Sequence, residues 1–239
     1  MTARFAGFPE EAVKFFRALR RNNRREWFQP RKDVFERLVK APMLEMIEKL
    51  NGEMLRFAPD YVTDPEKAMY RFYRDTRFSS DKTPYKDHVA ASFWRRGFVK
   101  HHVAGYYFSV SDKECEVAGG VYLPPPDALH AIRQHIAAYH EEFRRLSSSP
   151  AVRRLVGELQ GAQLTRVPKG FPPNHAAAGL LRYKQYLFYV TLDPALVTTP
   201  KLFTAVLQRF EAMAPWIEFL NRPLVTARQS RPAAAPRRG

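Results

Sequence analysis

The chain has 239 residues, a single cysteine, and 39 Lys and Arg against 24 Asp and Glu, giving a formal net charge of +15. That length supports one domain with a sizeable core, and the lone Cys115 excludes an internal disulfide and any cysteine-built zinc site. No apolar run reaches the length of a membrane span or a signal peptide, which predicts a soluble protein of the reducing cytoplasm with no membrane partner.

Five of the arginines fall in residues 222–239, a stretch without acids, so +15 less five leaves the body at +10. A basic body favours anionic partners: small anionic molecules, nucleotides or nucleic acid. A GC-rich genome produces the same arginine-rich composition, with charge then mainly keeping the protein soluble.

Phe8-Pro9 opens a first helix with Val13, Phe16 and Leu19 inward, ended by Asn22-Asn23. A second begins near Arg31, and Pro42 should kink or restart it before a stripe of Met43, Ile47, Leu50 and Met54. Strands are expected over 69–78, 89–94, 103–110, 115–123 and 186–192. The pair Gly119-Gly120 marks a bulge or a close approach in the fourth of these, with a bulge preferred. Leu129, Ile132, Ile136, Tyr139, Phe143 and Leu146 form a helical stripe after three prolines. A short helix follows Ser149-Pro150, another ends near Leu181, and a last one starts at Thr199-Pro200. The expected architecture is α+β: one largely antiparallel sheet of about five strands packed by N-terminal, middle and C-terminal helices. Residues 1–221 make one domain, and 222–239 form a disordered basic tail.

Residues 69–94 gather the most groups able to do chemistry. Arg71, Arg74, Arg77, Lys82 and Lys86 stand against Asp75, Asp81 and Asp87, with Tyr70, Tyr73, Tyr85 and His88 between them. Alternation puts Arg71, Tyr73, Asp75 and Arg77 on one face and Tyr70, Phe72, Arg74, Thr76 and Phe78 on a core face. Arg74 on that face needs an aspartate partner. Asp81 suits an Asx-type turn before Thr83-Pro84, which would fix a loop that projects Lys82 and Lys86.

The run R-x-x-R-D-T-R-F-S-x-D-K-T-P-Y-K-x-H, residues 71–88, closely resembles the signature of the DUF2461 family, a mostly bacterial group of unknown function. Asn22-Asn23-Arg24-Arg25-Glu26-Trp27-Phe28, Ala104-Gly105-Tyr106-Tyr107-Phe108, residues 119–126 and Val167-Pro168-Lys169-Gly170-Phe171 with His175 agree with it. The resemblance spans residues 5–220 and brings no established reaction, cofactor or catalytic residue.

Glycine-rich nucleotide loops, the G-x-S-x-G elbow and H-E-x-x-H are absent from the sequence. His130, His135 and His140 lie about 140° apart on a helix and cannot share one metal. No cofactor and no metal site are expected. The favoured function is a site for a small phosphorylated or otherwise anionic ligand, built from Arg71, Asp75, Arg77, Lys82, Lys86 and His88, with Lys169 joining from its proline-stiffened loop. The alternatives are a nucleic-acid-binding module and an interaction protein whose charged block is a structural clamp. Whether the protein is an enzyme, and its oligomeric state, stay open on sequence grounds.

Overall fold

The computed structural model describes residues 5–229. Helices α1 (Glu10–Arg21), α2 (Arg25–Phe28), α3 (Lys32–Phe35), α4 (Ala41–Met54) and α5 (Pro65–Ala68) precede the sheet. Strands β1 (Val89–Trp94), β2 (Gly105–Val110) and β3 (Cys115–Val121) follow as a meander. Helices α6 (Pro126–Ala138), α7 (His140–Ser147), α8 (Pro150–Val156) and α9 (Ala178–Leu181) lead to β4 (Tyr186–Leu192), and α10 (Lys201–Gln229) closes the order. The fold is α+β, with one antiparallel sheet in the order β1-β2-β3-β4. A π-helical turn at Glu36–Lys40 joins α3 to α4 and absorbs Pro42, whose ring would clash with a regular helical carbonyl four residues back.

Alternation along the strands sends Ala91, Phe93, Tyr106, Phe108, Val117 and Phe188 to one face, all buried. α10 lies across that face. Phe210 packs on Phe93 and Tyr106 at ring distances of 5.7 and 4.9 Å, and Trp216 packs on Phe188 at 4.7 Å. Asn221, fully buried near the end of this contact, accepts from Ala104 N and donates to Ala104 O and to the Tyr61 hydroxyl, each at 2.8 Å. These bonds tie the last helix to the entry of β2.

Five expectations are corrected. The described residues contain four strands, not five: residues 69–78 form only isolated bridges, Met69 to Ala91 and Tyr73 to Tyr85. This segment leaves the sheet edge to bury Phe72 among the N-terminal helices, and Pro84 on its return arm has no N–H with which to extend a ladder. Phe78, assigned to the core face, is 95% exposed. Gly119-Gly120 is not a bulge, since both stay in register with β2 and β4. Gly119 instead admits the helix: a Cβ there would lie 2.7 Å from Met213 Sδ.

The remaining corrections concern helices. The stripe from Leu129 to Leu146 breaks at Tyr139 into α6 and α7. α10 runs through residues 222–229, which were expected to begin a disordered tail. There Arg222 forks onto Glu142 with both contacts at 3.1 Å, and Arg228 lies over Phe98. Residues 230–239 lie outside the described residues. Among the described residues no helix is long and apolar enough to cross a membrane.

Candidate functional site

The other face of the sheet carries Ala90, Ser92 and Trp94 in register with Ser109, Tyr107 and Gly105, then with Glu116, Ala118 and Gly120. Leu187 and Tyr189 continue it on β4. Loops rim this face and enclose a cavity of about 620 Å³, within the range of small-molecule sites. Gly105 and Gly120 pair in its floor, where a Cβ on either would clash with a backbone carbonyl, Phe93 O or Tyr186 O, and Gly120 takes φ 123°, a conformation open to glycine.

Tyr70 organises the cationic wall. Its N–H bonds to Ala90 O at 2.8 Å, which holds it along the edge of β1. Lys100 Nζ lies 3.5 Å from the centre of its ring and Lys86 Nζ 5.0 Å. Lys100 is also 5.2 Å from the centre of the Trp94 ring. The His101 ring stacks on Tyr70, with Nε2 3.3 Å from the phenol oxygen. To reach this position His101 adopts φ 68°, which among the described residues no other non-glycine does. Such strain costs about 1–3 kcal/mol and persists where surrounding contacts enforce it.

Burial dominates the electrostatics of this wall. It lowers the pKa of Lys100 to about 8, with Lys86 adding repulsion. Lys86 is likewise lowered, by burial and then by Arg71. Among the described residues no carboxylate pairs with either amine. Burial also lowers His101, assisted by Lys100 and His102, and raises Tyr70 against the opposing Ser92 hydroxyl. Near neutral pH the imidazole is therefore neutral and the phenol protonated. Across the cavity Glu116 accepts from the Tyr189 hydroxyl and, at 3.3 Å, from Ser109 Oγ. That bond to Glu116 is the main reason the Tyr189 pKa is raised.

Lys86 is placed by the loop before β1. Phe72 and Tyr85 anchor this loop, stacking on Phe35 and Phe28 at 4.2 and 4.1 Å. Its arms join through Arg74 N to Pro84 O and Lys86 N to Phe72 O, both 2.9 Å. Asn23 then acts as a one-residue strand for Tyr85: its Nδ2 donates to Tyr85 O at 2.9 Å, and its Oδ1 accepts from Tyr85 N at 3.1 Å.

Of the residues proposed from sequence, Lys86 and His88 line the cavity, and His88 Nδ1 meets Asp87 at 3.2 Å. Arg71 is exposed behind Lys86. Asp75 and Arg77 pair with each other, outside the lining. Lys82 donates to Thr76 O at 2.9 Å. Arg74 pairs with Asp81 and donates to Thr83 Oγ1 at 2.7 Å, and Asp81 makes the expected turn by accepting from Thr83 N at 2.9 Å. Lys169 is exposed on a loop whose Phe171 packs on His130 of α6, and it does not line the cavity. Among the described residues no cluster of three or more His, Cys, Asp or Glu is arranged to hold a metal.

The model of a family described as "Conserved hypothetical protein (DUF2461)" matches residues 11–219. The chain belongs to the DUF2461 family. No curated protein and no solved structure matches it. The matched span takes in both lysines of this DUF2461 cavity together with Tyr70 and His101. Reading single segments missed Lys100, Tyr107, Glu116 and Tyr189 as one site. Strand parity counted from His88 puts Ser92 and Trp94 on one face and was the available signal for part of it. Lys100 reaches that face through a turn, which parity does not reveal.

Proposed function

We propose that the protein binds a small anionic molecule in the cavity on the sheet face. Lys86 and Lys100 hold the anionic group, and the body of the ligand lies over the glycine floor between Trp94, Tyr107 and Tyr189. Glu116 is placed to accept a hydrogen bond from the ligand's far end. One observation carries this reading: two lysine amines converge on the Tyr70 ring inside a cavity, and among the described residues neither forms an ion pair with a carboxylate. Two desolvated cations without an acid are costly, and a bound anion offsets that cost. Phosphate, sulfonate and carboxylate groups all meet the requirement.

The outer half of the charged block has a bracing role in this reading, because Arg74, Arg77 and Lys82 already have partners in their own loop. Calorimetry and thermal shift with sulfate, phosphate, aromatic carboxylates and nucleotides test the proposal. Lys86→Ala and Lys100→Ala should each weaken binding by about 1.5–3 kcal/mol. Equal binding by the double variant and the parent would refute the site. Tight binding of an oligonucleotide that both variants retain would favour the nucleic-acid reading through the general +15 charge.

A further inference from the structure

We propose that Lys100 is a nucleophile that forms an imine with a small aldehyde or ketone carrying an anionic group. This rests on the anion-binding reading and divides the work between the lysines. Lys86 holds the anion, and Lys100 attacks the carbonyl carbon beside it.

The geometry supplies what such a lysine needs. Its amine must be reachable, and Lys100 lines the cavity. It must also lack a carboxylate that would fix it as ammonium. The groups facing it are Lys86, His101 and the phenol of Tyr70, with His102 two residues on, while Glu116, which also lines the cavity, is bonded to Tyr189 and Ser109. The Tyr70 and Trp94 rings favour the charged amine. Burial and the adjacent Lys86 act the other way, lowering its pKa to about 8 and enlarging the neutral share of the amine. A second cation beside a desolvated lysine is a recognised means of activating a nucleophilic amine.

The step balances without any other reagent. The neutral amine of Lys100 forms the N–C bond as the carbonyl π pair moves to oxygen, which takes a proton and gives a carbinolamine. The nitrogen lone pair then forms the C=N bond, the C–O bond breaks, and oxygen leaves as water with the protons released by nitrogen. The protonated Tyr70 phenol, 3.3 Å from neutral His101 Nε2, is the adjacent pair that can lend and recover a proton.

The experiment treats the full chain with pyruvate or with uncharged propanal, each with sodium cyanoborohydride at pH 8, and maps the reduced adducts by peptide mass spectrometry. Pyruvate should label Lys100 about tenfold faster than exposed Lys113 and Lys184, the larger share of neutral amine being partly offset by lower basicity. Propanal, an aldehyde and more reactive at every lysine, should give a smaller ratio of Lys100 to exposed-lysine labelling than pyruvate does. Lys100→Arg should remove this adduct, and Lys86→Ala should erase the preference for pyruvate. Labelling of Lys100 no faster than of the exposed lysines, in a protein that sulfate still stabilises, overturns the nucleophile and leaves the anion site standing. Selective labelling by both probes with the same ratio of Lys100 to exposed lysines keeps the nucleophile and removes the anion's role. No sulfate stabilisation and no selective labelling overturn both.

Discussion

Arg77 forks onto Asp75, with Nε 3.0 Å from Oδ1 and Nη2 2.7 Å from Oδ2. This pair satisfies an exposed cation of the charged block within two residues of sequence. It holds the Asp75 carboxyl at a pKa of about 2 and separates the outer loop from the cavity that Lys86 lines. Arg77→Ala should therefore leave sulfate affinity and melting temperature unchanged, because exposed pairs contribute little. Arg74→Ala, which strips Asp81 and Thr83 of a shared partner, should lower the melting temperature by more than Arg77→Ala does. Thermal melts of both variants with and without sulfate check this, and loss of the sulfate effect in Arg77→Ala would return that residue to the site.

Asn23 should be a positioning residue for Lys86. Asn23→Ala removes both side-chain bonds to the Tyr85 backbone and should cost about 1–3 kcal/mol in chemical denaturation. Sulfate binding should weaken as well, although Asn23 is absent from the cavity lining. Asn23→Asp restores the acceptor alone and should recover part of the stability. Sulfate affinity unchanged in a destabilised Asn23→Ala variant would limit the residue to the fold.

The pH dependence follows from Lys100, whose pKa is about 8 in the folded protein against an ordinary 10.5. Between these values the unfolded chain binds the proton and the folded chain does not, so this group's contribution to stability rises with pH through that window and is lost as pH falls through 8. Sulfate affinity moves the other way. It should hold near pH 7 and decline as pH rises past 8 and Lys100 loses its charge, while sulfate keeps its own charge throughout. Calorimetry from pH 6.5 to 9.5 reads the decline, which Lys100→Arg should shift to higher pH.

Asn221→Leu keeps the volume and removes three hydrogen bonds at a fully buried site. The orphaned N–H and C=O of Ala104 should make this the most damaging substitution named here, at about 3 kcal/mol or more. Urea denaturation measures it, and a loss under about 1 kcal/mol would show that the clamp is dispensable.

Much of the fold was legible because each element carries its own period. The inward set Leu202, Val206, Phe210, Met213 and Ile217 is buried as its spacing requires. Residues 69–78 misled because their alternation is real but satisfied elsewhere: Met69 and Tyr70 touch β1 only briefly, Phe72 enters the N-terminal aromatic cluster, and Arg74 bonds back to Pro84 in its own loop. The candidate site was legible at Lys86 and His88, next to the strand they precede. Lys100 was not, because its meeting with Tyr70 depends on a turn in which His101 takes a backbone conformation rare for its residue type. Asp75 and Arg77 looked like ligand groups because charge content alone does not tell a pair from a receptor.

The clamp at Asn221 also sets an order of events during synthesis. Its partner Ala104 leaves the ribosome more than a hundred residues earlier, as their separation of 117 residues requires. At roughly 5–20 residues per second, the β-meander waits several seconds with the apolar face that α10 will cover still unclosed. Nascent chains of this protein should therefore recruit a holdase at the meander and release it only after α10 has emerged.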